Sequence, residues 1–316
     1  MLGFGKYRYT LLVTVSAAAL MVSVEQGPLA ADIAAPVAQD HWWFSAEGQY
    51  LLYDGDHVLE GKDSEDGFDL KPQDGWGIGG EVGFQPADSL WSFLGRVRYS
   101  QSNKDKDHDD FYSNFQGTPL FGRDEADHRE EQIIADLEIG RDVGLGALGD
   151  GSNIRVFAGV RFAHFKGKGS FSTYSNFAST STDIDIKRKF TGIGPRIGFD
   201  AMVPLSEQFS LDIGAAGAVL FGKRKFEASG DYSRFGNNYA DIDEKRSKNV
   251  AVPNLEASAA FSWLITDNAK FSLGYRVDSY FDVYDTGPVF GDHDEGDRII
   301  HGPFVKFTIG IGGDGG

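Results

Sequence analysis

Ile154-Arg155-Val156-Phe157-Ala158-Gly159-Val160-Arg161-Phe162 decides how this chain is read. Successive side chains of a strand point to opposite sides. Ile154, Val156, Ala158, Val160 and Phe162 therefore share one face, and Arg155, Phe157, Gly159 and Arg161 share the other. The first face carries no charge. A charge at the midplane on a lipid-facing strand position costs about 2–4 kcal/mol, so a face kept free of charge in every strand suits lipid.

The pattern recurs outward along the chain in about ten segments, at 44–52, 76–84, 91–99, 133–139, 154–162, 193–203, 209–221, 255–265, 271–281 and 305–311. In the segment 271–281, Phe271, Leu273, Tyr275, Val277, Ser279 and Phe281 oppose Arg276, Asp278 and, just beyond, Asp282. Long polar stretches at 54–74, 101–129, 166–185, 222–249 and 285–297 alternate strictly with shorter turns at 86–89, 142–153, 204–208 and 266–270. An even strand number with long loops on one side and short turns on the other is the organisation of an outer-membrane barrel. The expected fold is all-β, an antiparallel transmembrane β-barrel of about ten strands. Twelve strands follow if a long loop hides a hairpin. Phe84, Trp91, Trp263 and Phe271 fall at the short-turn ends, and Trp76, Tyr99, Phe162, Phe221 and Phe281 at the other, as interfacial girdles. Pro195 lies inside a segment and cannot donate to a ladder, so a bulge or a strand end is expected there.

Composition fits this reading. Hydrophobic content is 41% and glycine is frequent, because lumen and loops of such a barrel are polar. The absence of cysteine excludes disulfides and thiolate metal sites. A net charge of −17 argues against nucleic acid as a partner. Lys6 and Arg8 precede an apolar run over 11–24, too short to span as a helix and followed by small residues near Ala30 and Ala31. Residues 1–30 are therefore expected to be a cleaved signal peptide, 31–41 a periplasmic segment and 42–316 the barrel. The expected location is a Gram-negative outer membrane, with the long loops extracellular.

Several phrases resemble the pore-forming outer-membrane proteins typified by the major outer membrane protein of Legionella. They are RVFAGVRFAHF at 155–165, GIGPRIGFD at 192–200, GAAGAVLFGKRK at 214–225, FSLGYRVDSYFDV at 271–283 and GPFVKFTIG at 302–310. The resemblance implies an outer-membrane barrel with channel activity and transfers no catalytic motif. One departure is the glycine-rich end at 312–316, where many such barrels finish on an aromatic residue.

The candidate site is the lumen. Glu47, Glu81, Arg96, Arg98, Asp136, Glu138, Arg155, Arg161, Arg196, Asp200, Glu256, Arg276, Asp278 and Lys306 are expected to point inward. Opposed acidic and basic walls either line a narrow channel or bridge into a plug, since about eight strands leave an interior just filled by side chains. Asp105, Asp107 and Asp109 begin a calcium-loop spacing, but Asp110 replaces its turn glycine and Gln116 its bidentate Glu, leaving a solvated loop as the expectation. Lys223, Arg224 and Lys225, with Lys245, Arg246 and Lys248, either meet lipopolysaccharide phosphates or offset nearby acids. His57, His108, His128, His164 and His293 stand near strand tops or loops, where a barrel protease would keep its base. Residues 75–80 complete no phosphate-binding motif. The leading expectation is a passive porin-like channel for small solutes or ions, non-enzymatic and without a cofactor. A structural or surface-recognition barrel and a barrel protease are the alternatives. Expected partners are outer-membrane lipid and lipopolysaccharide, the barrel-assembly machinery and the conducted solutes.

Overall fold

The computed structural model describes residues 39–55, 59–60, 69–70, 72–115, 118–143, 152–176, 179–285 and 295–311. The expected signal peptide, His57, His293 and the glycine-rich end lie outside the described residues. The strands are β1 (His41–Gly55), β2 (Leu59–Glu60), β3 (Asp69–Leu70), β4 (Gly75–Gln85), β5 (Trp91–Ser102), β6 (Asp105–Phe115), β7 (Thr118–Asp142), β8 (Asn153–Ser175), β9 (Thr180–Pro204), β10 (Phe209–Arg234), β11 (Asn237–Thr266), β12 (Ala269–Asp285) and β13 (Glu295–Ile311). The sheet runs β5-β4-β1-β13-β12-β11-β10-β9-β8-β7-β6, and a further pairing of β5 with β7 closes it. The result is a closed antiparallel barrel of ten strands. Strand β6 forms a hairpin on β7, outside the ring, and β2 with β3 forms a separate ribbon. The stretch 101–129 thus does hide a hairpin, yet the ring keeps ten strands.

Burial follows the alternation. On the outside, Leu137 is 65% exposed and Ile197 66%, far beyond what water-soluble packing leaves on neighbouring strands. On the inside, Arg161 is 0% exposed. Closure also pairs every strand of the lipid-facing band, which a bilayer demands because it offers backbone groups no water.

Three expectations change. First, 101–129, 166–185 and 222–249 are largely wall rather than loop. Strand β11 alone has 30 residues, where about 9–11 suffice to span a membrane. Beyond the lipid band the pattern inverts: Lys187 and Lys225 face out, while Ile184, Ile186, Phe226 and Ala228 are buried inside. The strands therefore continue into water with their polar face outward.

Second, Pro195 sits in mid-strand, neither at an end nor at a register shift. It stands opposite Val160 on β8. On the β10 side the ladder stops at Arg196↔Ala218 and resumes at Ile193↔Phe221 in the same register. The strands part locally to absorb the missing donor instead of slipping. Gly302–Pro303 repeats the device: pairing with β1 stops at Gln49↔Phe304 and resumes at Leu52↔His301.

Third, Asp282 does not point inward. A register shift follows Tyr280, Asp282 adopts φ 56° and is exposed, and Val283 and Tyr284 are both buried. This is a bulge, and it swings an extra aromatic ring into the lumen.

Candidate functional site: the lumen

The inward positions of single strands read as layers. Along β7 they run Glu138 and Asp136, then Ile134 and Gln132, then Glu130 and His128, then Ala126, all buried. Along β9 they run Arg196, Phe190, Arg188, Ile186 and Ile184, again all buried. Charged and apolar tiers therefore alternate from the short-turn end outward.

Arg161 holds the inner charged tier together. Its Nε and Nη2 donate to the two carboxylate oxygens of Asp136 at 2.7 and 2.8 Å. Nη2 also donates to Glu256 at 2.5 Å, and Nη1 to Asn254 at 2.7 Å. Arg98 crosses the lumen to Asp278 at 2.9 Å and Glu256 at 2.8 Å. Arg196 reaches Glu138 at 3.1 Å and Glu256 at 3.3 Å. Arg96 bonds Glu81 at 2.9 Å, and Arg276 makes a two-pronged pair with Glu47. Arg155 contacts Glu138 at 3.3 Å and Asp200 at 3.1 Å, with Asp200 half-exposed at the short-turn end. Of the fourteen residues singled out in the sequence, thirteen join these ion pairs and Lys306 stands beside Glu47 across the β1–β13 ladder; seven are acidic and seven basic, so their formal charges cancel. Such pairs are held by mutual hydrogen bonds, because an unpaired charge in this interior would be costly.

An apolar septum lies above this tier. Phe165 packs against Tyr280, Phe190 and Tyr284 at ring-centroid distances of 4.6, 6.3 and 6.2 Å. Leu220, Val252, Ile134 and Ile300 complete it. Beyond it comes a second charged tier. Arg298 donates to Glu130 at 2.7 Å and lies over the Tyr284 ring, and Glu130 contacts His128 Nε2 at 3.0 Å. Burial pushes the His128 pKa below its ordinary value, against the opposing pull of Glu130. Burial alone would raise Glu130, but Arg298 and His128 outweigh it and hold the carboxyl below its usual range. Burial, with Arg298 nearby, brings Arg188 down to about 10, so it stays charged at neutral pH. Arg224 also turns inward, donating to the backbone carbonyls of Asp282 and Tyr284. It is thereby separated from Lys223 and Lys225, which the alternation sends outside.

The free volume is unequal. A cavity of about 360 Å³ occupies the short-turn half, lined among others by Arg155, Arg196, Phe157, Asp212, Lys270 and Arg276. Around Arg98, two voids of only about 20 and 10 Å³ remain, each room for about one water.

Sequence reasoning missed Asp212, Lys270 and most of the upper half of the lumen: Phe165, Phe190, Tyr280, Tyr284, Glu130, Arg188 and Arg298, while His128, singled out as a base near a strand top, is buried in that half beside Glu130. The signal was present. Inward alternation continues past the point where the outer face loses its apolar residues, and apolar residues on what should be a polar lumen face mark the septum. Of the other candidates, Asp105, Asp107 and Asp109 lie on strand β6, not in a loop. His108 is exposed on β6, and His164 contacts Thr191 on the outer wall at 2.7 Å.

A closed ten-stranded ring with an uncharged outer belt and short turns at one end defines an integral β-barrel of the outer membrane. The match to a family model makes this particular: residues 96–311 match the Legionella pneumophila major outer membrane protein precursor family, and the chain belongs to that family. Among solved structures, the outer membrane protease OmpT of Escherichia coli is similar at 10% identity and a TM-score of 0.46, over 88% of this chain and 96% of that one. A major outer membrane protein of Thermus thermophilus follows at 12% identity and TM-score 0.31, over 85% and 99%. The monoaromatic hydrocarbon channel CymD gives 8% identity and TM-score 0.32, over 86% and 89%. No curated protein matches in sequence.

Proposed function

We propose that this protein is a structural, surface-presenting barrel whose lumen is closed to passive solutes in its resting state. The observation that carries this reading is the Arg161 clamp, fully buried among Asp136, Asn254 and Glu256 and capped by the Phe165 septum. A solute crossing here must break several charge-assisted hydrogen bonds and displace packed rings. Planar-bilayer recording of the folded protein tests it. The expected result is no conductance steps above the lipid background. Reproducible steps from protein shown to be folded would overturn it.

The cavity of about 360 Å³ favours a second reading, a gated narrow channel with its vestibule on the short-turn side. Under that reading a membrane potential or acid produces steps from the wild type, whereas under the first only weakening the plug does. The reading is non-enzymatic. Among the described residues, His128 and its partner Glu130 are sealed from solvent, and His301, bonded to Asp54 at 2.9 Å, is held also by Tyr275 at 2.5 Å. Incubation with a fluorogenic peptide library should show no cleavage above a heat-denatured control.

A further inference from the structure

The outer wall of β8, β9 and β10 carries a concentrated positive patch on a chain whose net charge is −17. Register places Lys166 opposite Lys189, and Lys189 opposite Lys225, so three lysines form one cross-strand row. The row above has Lys168 opposite Lys187, and Lys187 opposite Glu227. The row below ends in Lys223, beside Thr191. Like charges directly opposite each other on a sheet face destabilise it unless something neutralises them. Glu131 meets Lys166 at 3.4 Å. No ion-pair partner among the described residues reaches Lys187, Lys189, Lys223 or Lys225.

The row below Lys223 is apolar. Phe162, Ile193 and Phe221 stand opposite one another there, 37%, 56% and 59% exposed. At about 3.3 Å per residue and the usual tilt, Lys223 lies about 5 Å above that row, Lys189 and Lys225 about 10 Å, and Lys187 about 15 Å, so the patch starts at headgroup depth and rises to its outer edge. We propose that this wall binds the phosphates of an outer-leaflet glycolipid, with Lys187, Lys189, Lys223 and Lys225 as the principal contacts and its acyl chains against Phe162, Ile193 and Phe221. Anionic phosphate at one level and hydrocarbon directly beneath is the chemistry of a lipid A headgroup. The sequence reading groups Lys223, Arg224 and Lys225 with Lys245, Arg246 and Lys248, of which Lys223 and Lys225 stay in this patch. The structure replaces that run with a cross-strand surface whose other half, on β8 and β9, is distant in sequence.

Native mass spectrometry of the detergent-solubilised, folded full chain tests the proposal. The probes are bisphosphorylated lipid A, dephosphorylated lipid A and phosphatidylglycerol, each added alone, with inorganic phosphate as a competitor. Wild type should retain bisphosphorylated lipid A about tenfold or more above the dephosphorylated form and above phosphatidylglycerol, and inorganic phosphate should not displace it. The Lys187→Thr/Lys189→Thr/Lys225→Thr variant should lose that preference while keeping its unheated gel mobility, and Lys106→Thr should keep it. Equal retention of both lipid A forms, equal retention of phosphatidylglycerol, displacement by inorganic phosphate, or an unchanged preference in the triple variant would each overturn it. The wild-type comparison decides the matter even if the triple variant fails to fold.

Discussion

Arg161 bonds both oxygens of Asp136 and shares Glu256 with Arg98 and Arg196, so its loss would strip cations from carboxylates that cannot reach water. Arg161→Met is expected to cost about 3–5 kcal/mol, the range for removing one partner of a buried charge pair. A lower urea midpoint of the folded protein would show it, and Asp136→Asn in the same chain should restore part of the loss. Acid acts in the other tier. Because burial holds His128 below its ordinary pKa, the folded state binds fewer protons than the unfolded chain. Its stabilising contribution is complete above about pH 6.5 and is lost as pH falls through the folded value. Glu130, also held low, loses its contribution only at more acid pH, below the ordinary Glu range of about 4.3. Amide protection around residues 126–132, taken relative to the intrinsic exchange rate at each pH, should therefore fall as pH drops below about 6.5 in wild type. His128→Gln should flatten that response; an unchanged slope would remove His128 as its source.

At the scale of elements, the two Gly-Pro dipeptides show how a closed barrel tolerates a residue that cannot donate. Gly302 has φ +154°, and a Cβ there would lie 2.0 Å from the Tyr50 carbonyl oxygen. Gly302→Ala is therefore expected to destabilise the β13–β1 seam by about 1–3 kcal/mol. The heat needed to convert folded to unfolded mobility on a gel should drop accordingly. Reversal of the alternation along β8 to β11 belongs to this scale too. The lipid-facing part of each strand was legible from an uncharged outer face. Its continuation was not, because in water the outer face becomes polar and resembles loop sequence.

Over the whole molecule, charged and apolar tiers alternate, and under the proposed function they close the lumen twice, at Arg161 and at Phe165. Either closure alone should block solutes, so single substitutions are expected to leave conductance at background. Arg161→Ala combined with Phe165→Ala and Tyr280→Ala should produce steps in a planar bilayer if that variant folds. Silence from a folded triple variant would show that the outer tier of Glu130 and Arg298 also seals the barrel.

What the sequence determined by itself is local and periodic: which face of Ile154–Phe162 meets lipid, how many strands close the ring, and which end carries the short turns. Period-two alternation encodes each of these within a few neighbouring residues. Only the tertiary structure decided that Arg161 of β8 meets Asp136 of β7 and Glu256 of β11, that a bulge at Asp282 brings Tyr284 inward, and that Lys166, Lys189 and Lys225 share a row. These depend on strand stagger, tilt and barrel closure, which juxtapose residues far apart in the chain. No pattern within a single strand carries that information.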